Sequence, residues 1–143
     1  MSKAAVIYWS GTGNTELMAN AVLAGLRADG TDAAMCSVET ITADEAAGCD
    51  RLALGCPAMG AEVLEEDSFE PFFTELEGKL SGKKVALFGS YGWGDGEWMR
   101  NWTERCAQAG AVLADPEGLI VHELPDEEGL ARCEELGKQL AAL

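Results

Sequence analysis

Residues 4–15 read AAVIYWSGTGNT. The first six are apolar, and the run stops at Ser10-Gly11. Such a run predicts a strand buried on both faces, as in a parallel sheet. From Thr15 the period changes. Leu17, Met18, Ala21, Val22 and Leu26 recur on one face of a helix, which Asp29-Gly30 ends. A strand, a glycine-rich loop and a helix in that order begin a βαβ unit.

The same alternation continues along the chain. Residues 33–38 read as a short strand, and Thr42 with Glu45 as a capping box for a short helix. Residues 51–55 (RLALG) form a third strand, followed by a turn-rich loop over 56–67. Ser68 is expected to cap a helix that turns Phe69, Phe72, Phe73 and Leu76 inward. Residues 85–89 (VALFG) are the strongest strand signal, and a second glycine-rich loop follows. Residues 97–109 are helical and stop at Gly110, while 111–113 and 119–121 make an interrupted last strand. Asp126 opens a final helix with Leu130, Cys133, Leu136 and Leu140 in register. Five β-α units demand a parallel sheet with helices on both faces, and one domain over residues 1–143 accounts for the chain. In such sheets ligands bind beyond the carboxyl ends of the strands, where strand order reverses.

With 143 residues and 48% apolar content, the chain can build its own core. No stretch approaches the ~18 apolar residues of a membrane span, and the N-terminus lacks a basic segment and a cleavage site. A cytoplasmic protein is expected. The five cysteines, at 36, 49, 56, 106 and 133, show no C-x-x-C spacing and read as reduced core thiols. A net charge of −15 excludes nucleic acid and anionic membranes as partners. It favours a partner with a basic face.

Three loops carry the chemistry. The first offers the hydroxyls of Ser10, Thr12 and Thr15, the amide of Asn14 and the backbone N–H groups of Gly11 and Gly13, all at a helix N-terminus. It lacks the lysine of an ATP-binding loop, and Glu16 stands where a dinucleotide fingerprint needs its third glycine. What remains is a phosphate held by neutral donors. The second loop is CPAMGAE, residues 56–62, where Met59 offers a soft apolar contact. The third is SYGWGDGEW, residues 90–98. Glycines flank Trp93 on both sides, so its ring reads as cover for a flat ligand, whereas Trp98 reads as helix core. His122 and Glu123 fall at the same edge and read as exposed loop residues, with a ribityl contact as the alternative.

SGTGNT, LGCPAMG and LFGSYGWGDGEWM, in this order and spacing, resemble the short-chain flavodoxins over essentially the whole chain. The resemblance implies a three-layer α/β/α sandwich on a five-stranded parallel sheet of order 2-1-3-4-5. It also implies non-covalent FMN, flavodoxins being a known instance of the switch-point rule. The implied function is a low-potential one-electron carrier, cycling mainly between neutral semiquinone and anionic hydroquinone. It would have no substrate of its own. Ser10, Gly11, Thr12, Gly13, Asn14 and Thr15 would hold the phosphate, with Ser90 near the ribityl chain. Met59 would lie on the inner face of the ring and Trp93 on the outer, with Pro57 and Ala58 also binding the cofactor. Glu62 would accept from flavin N3–H, and the Gly60 carbonyl from N5–H, with Ala61 shaping that turn. Tyr91 and the Gly92 backbone would border the ring, with Gly94 also among the cofactor-binding residues. Implied partners are redox proteins with basic docking faces, of reductase, hydrogenase, nitrogenase or oxidoreductase type, met by a monomer.

Two other readings make distinct demands. An FMN-dependent quinone or nitro-compound reductase needs extra surface beyond a minimal five-unit core. A receiver-type regulatory domain needs acids after the first strand and a lysine after the last. Tyr8-Trp9-Ser10 and Val121-His122 supply neither.

Overall fold

The computed structural model describes residues 3–11, 13–28 and 30–143, so Thr12 and Asp29, both read above, lie outside the described residues. The strands are β1 (Lys3–Tyr8), β2 (Asp32–Ser37), β3 (Arg51–Gly55), β4 (Lys84–Tyr91), β5 (Val112–Leu113) and β6 (Leu119–His122). The helices are α1 (Asn14–Ala28), α2 (Ala43–Ala47), α3 (Phe69–Glu77), α4 (Glu97–Gln108) and α5 (Glu127–Ala142). These strands pair in parallel, in the order β2-β1-β3-β4-β5, with β6 also on β4. The fifth strand is indeed interrupted: β5 pairs with Lys84 and Val85, and β6 with Phe88 to Tyr91.

Side-chain alternation splits the apolar residues between the two faces. Ile7, Leu52, Leu54, Val85 and Leu87 join a core with α3 and α4, built on Phe69, Phe73, Trp98 and Trp102. Ala4, Val6, Ala53, Ala86 and Phe88 join the opposite core, with Met18, Val22, Leu26, Leu136 and Leu140 from α1 and α5. The second face is paved largely with alanine, so its helices sit close. A Cβ on Gly25 would lie 1.9 Å from the Glu134 carbonyl oxygen, and one on Gly137 would lie 2.2 Å from that of Val22. The two glycines let the α1 and α5 backbones touch.

Several boundaries differ from the sequence reading. Helix α1 starts one residue early, at Asn14, and Leu17 is exposed while Ala19 and Gly25 are buried. Strand β4 runs on through Ser90 and Tyr91, because β6 continues to pair with it there. The Thr42–Glu45 capping box is present, and Asp126 caps α5 by accepting the Gly129 N–H at 2.7 Å. Ser68 makes no side-chain cap. The buried Glu65 replaces it, accepting the N–H groups of Asp67, Ser68 and Phe69 at 2.8–2.9 Å. A carboxylate satisfies several orphan donors at a positive helix end better than one hydroxyl does.

Arg105 of α4 ties itself to α3. It donates to Glu70 at 2.9 and 3.0 Å and to Glu77 at 3.0 and 3.1 Å, and its guanidinium lies 4.7 Å from the Phe73 ring centre. Burial pushes the Glu70 carboxyl up, but the Arg105 and Thr74 hydrogen bonds outweigh it and leave it below the usual range. A depressed carboxylate stabilises the fold above its unfolded value of about 4.3, and that contribution disappears as pH falls through the folded value. Arg105→Met should therefore lose about 2 kcal/mol at pH 7, between exposed and buried pairs. The difference from wild type should shrink by pH 3. Urea unfolding of both proteins at the two pH values checks this.

All five cysteines are free; Cys36 is half-buried and the other four are buried. Among the described residues no helix is long and apolar enough to cross a membrane, and no cluster of side chains could hold a metal ion.

Candidate functional site

A cleft of about 260 Å³ opens at the carboxyl ends of β1, β3 and β4. Loop one brings Trp9, Ser10, Gly11, Asn14 and Thr15 to it. Loop two brings Pro57, Ala58 and Met59, and loop three Ser90, Tyr91 and Gly92. Glu123, just past β6, closes the rim.

Loop one turns tightly into α1. Gly13 takes a φ of +95°, its N–H donates to Ser10 Oγ at 3.0 Å, and its carbonyl accepts the Leu17 N–H at 3.0 Å. Trp9 lies over Gly11, where a Cβ would come within 3.0 Å of the indole. Thr15 is 1% exposed, and its hydroxyl accepts the Ser90 N–H at 3.4 Å, linking the first loop to the third.

Loop two first follows β4, with Cys56 N–H donating to the Phe88 carbonyl and Ala58 N–H to the Ser90 carbonyl, each at 3.1 Å. It then closes on itself: Met59 and Val63 exchange two backbone hydrogen bonds of 2.9 and 3.0 Å. The intervening turn places Gly60 at φ +49° and Glu62 at +55°, while Ala61 is not in the left-handed region. Positive φ is rare for a residue with a Cβ, so Glu62 must be held there. Its carboxylate, in a residue 8% exposed, accepts the N–H groups of Gly96 and Glu97 at 3.0 and 3.1 Å. Gly96, the residue before α4, offers no side-chain cap, so Glu62 caps that helix from 34 residues away. Gly94 packs on it: a Cβ there would lie 2.5 Å from the Glu62 carboxyl carbon.

In loop three Trp93 stands 64% exposed, whereas Trp98 is core and donates its indole N–H to the Cys56 carbonyl at 3.1 Å. The Ser90 hydroxyl, in a residue that lines the cleft, donates to the Glu123 carbonyl at 2.7 Å, so its oxygen is left to act as an acceptor. Glu123 N–H returns a 2.7 Å bond to the Tyr91 carbonyl, with Glu123 at φ +57°.

Of the expected site residues, Ser10, Gly11, Asn14, Thr15, Pro57, Ala58, Met59, Ser90, Tyr91 and Gly92 line the cleft. Gly13, Gly60, Ala61, Glu62, Trp93 and Gly94 do not line it, Glu62 lining instead a second hollow with Glu70, Trp98 and Arg105, and Thr12 lies outside the described residues. Trp9 and Glu123 line it in addition. Trp9 read simply as the end of a strand; its position just before Ser-Gly was the available signal. No lysine or arginine lines the cleft among the described residues. Hydroxyls, an amide and a helix N-terminus suit a phosphate dianion, and the apolar walls from Trp9, Pro57, Ala58, Met59 and Tyr91 suit a flat ring. The residues present thus fit a flavin mononucleotide.

Comparison with known proteins agrees with this geometry. The flavodoxin family model matches residues 6–137. The chain is 50% identical over 136 residues to a flavodoxin of Megasphaera elsdenii, covering 95% of this chain and 96% of that one. It is 52% identical over 136 residues to a flavodoxin of Clostridium beijerinckii, covering 95% and 97%. The solution structure of two-electron reduced Megasphaera elsdenii flavodoxin superposes with a TM-score of 0.87 at 48% identity, covering 98% of this chain and 99% of that one. The chain therefore belongs to the flavodoxin family, the FMN-binding electron carriers.

Proposed function

We propose that residues 1–143 act as one FMN-binding unit and that its three loops divide the work of holding and tuning the flavin. The observation that carries this reading is a cleft at three strand ends with neutral polar groups on one side, apolar walls on the other and no cation among the described lining residues. Bound FMN supplies the one-electron chemistry. Ser10, Thr12, Asn14 and Thr15, with the Gly11 and Gly13 amides, hold the phosphate. Ser90 accepts from the ribityl chain. Met59 backs the ring, with Pro57 and Ala58 beside it, and Trp93 covers the outer face. The free oxygen of the Glu62 carboxylate accepts from flavin N3–H. The Gly60 carbonyl holds the proton at N5, and Tyr91, Gly92 and Gly94 border the ring.

Leaving the phosphate uncompensated has an electrostatic purpose. Seven carboxylates and no base lie between Glu62 and Glu77. A second reduction that adds negative charge must work against this field, which makes the fully reduced protein a strong donor. Asn14→Lys should raise the second-step potential by roughly 50 mV at low salt, and less at high salt. Spectroelectrochemical titration at two ionic strengths reads this, and an unchanged low-salt potential contradicts it.

The turn at Gly60 tunes the first step. Positive φ falls on Gly60 and Glu62 and leaves Ala61 in ordinary backbone. Ala61 disfavours any alternative turn that needs positive φ there, by about 1 kcal/mol. Ala61→Gly should make such turns accessible and lower the first-step potential by about 30 mV. A raised or unchanged value counts against this role.

The acidic surface supports a redox partner with a basic docking face, met by a monomer in the cytoplasm. Exposed Trp93 and Leu124 add apolar contact near the rim. Titrating the apoprotein with FMN tests the whole reading. One equivalent should bind with quenched flavin fluorescence, and reduction should proceed in two separated one-electron steps. A protein that takes up no FMN overturns it.

A further inference from the structure

We infer that His122 is a positioning residue that couples pH to the charge held in the cleft, an inference that rests on the FMN reading above. His122 is the sole histidine of the chain. It ends β6 opposite Tyr91 of β4, at the strand ends that open into the cleft. Its Nε2 lies 3.2 Å from the carbonyl oxygen of Gly92 and donates to it. Its ring centre stands 5.1 Å from that of Tyr91. Both Tyr91 and Gly92 line the cleft, and Trp93 follows directly. His122 is therefore a latch on the loop that carries the exposed indole.

The charged neighbour is Glu123, whose Oε1 lies 3.8 Å from His122 Nε2 and which also lines the cleft. From β4, the group facing the ring is Tyr91. Beyond Pro125, Asp126 spends its carboxylate on the Gly129 N–H. His122 thus faces one nearby carboxylate and the rim of the site. Histidine is the side chain whose charge changes between pH 5 and 8. The Nε2–H donor to Gly92 survives protonation, so the latch holds in both states and only the charge at the rim changes. A cation there favours extra negative charge in the cleft. By linkage, extra negative charge in the cleft favours the cation. The sign follows: as pH falls and His122 gains its proton, the second reduction becomes easier. For an exposed group screened by salt, the coupling is about threefold in proton affinity.

A sole histidine gives a single set of imidazole proton resonances, so NMR titration of the holoprotein reads it directly. The His122 midpoint should correspond to about threefold higher proton affinity in fully reduced than in oxidised holoprotein. His122→Gln keeps an N–H donor for the Gly92 carbonyl but does not titrate. The second-step potential of this variant should show a shallower pH dependence than wild type, and whatever slope remains belongs to the flavin and the surrounding carboxylates. Equal midpoints in the two redox states, or identical pH profiles for wild type and His122→Gln, overturn the coupling and leave the FMN site standing. Failure of wild-type apoprotein to take up FMN overturns the site itself.

Discussion

Replacing Gly137 with alanine should lower the stability of the protein by about 3 kcal/mol, the upper range for overpacking. For a chain of this size that is a drop of about 10 °C in melting temperature. The new Cβ would lie 2.2 Å from the Val22 carbonyl oxygen and 2.8 Å from the Leu26 nitrogen, both backbone atoms of α1. No rotamer change relieves contacts of that kind, so α1 and α5 must move apart. Separation exposes the Met18–Leu26 and Cys133–Leu140 seam and tilts α1, whose N-terminus forms the first loop. FMN affinity should therefore fall along with stability. Gly25→Ala should behave alike, since its Cβ meets the Glu134 carbonyl oxygen at 1.9 Å. Gly78, where φ is −74° and an added Cβ meets nothing within 4 Å, is the control. Thermal unfolding followed by circular dichroism separates the two classes. Equal melting temperatures for Gly137→Ala and wild type exclude the backbone contact as a constraint.

Replacing Glu62 with alanine should reduce FMN affinity on the order of 100-fold. It removes the acceptor for the Gly96 and Glu97 N–H groups and leaves α4 without its remote cap. It also strips the side-chain anchors from a residue in left-handed backbone, which the Met59–Val63 backbone pair must then hold alone. Loops two and three then lose their mutual register, and ordering them falls on the ligand. The stability loss without FMN should be about 2 kcal/mol. Glu62→Gln retains one carboxamide oxygen for those two donors, so it should recover most of the apoprotein stability. FMN titration and apoprotein unfolding together separate the clamp from direct ligand contact. An alanine variant that binds FMN as wild type does would falsify both roles.

Glu62 also shows why part of the site stayed hidden in the sequence. Its neighbours CPAMGAE identified the loop, but nothing local says that its carboxylate reaches residues 96 and 97. Glu65 is a similar case. Ser68 stands where a cap belongs, and the sequence cannot reveal that a carboxylate three residues earlier folds back onto the same donors. Trp9 looked like a strand residue until its ring was seen over Gly11. By contrast, the strand runs, the glycine loops and the capping box at Thr42 are short-range patterns, and they were legible in order and nearly in place. The α1–α5 contact depends on two glycines 112 positions apart, from 25 to 137, that meet only once the sheet forms.

A flavin carrier handled in air makes peroxide at its own surface, and peroxide attacks thiolates rather than thiols. Burial holds Cys106 and Cys133 up at about 12 and raises Cys36, Cys49 and Cys56 as well. At a midpoint of about 12, roughly one thiol in 10⁵ is ionised at pH 7. The core sulphurs are therefore held in a form that resists sulfenic acid and mixed disulfides. Cys36 is the half-buried exception, on β2. Aerobic ageing should begin there.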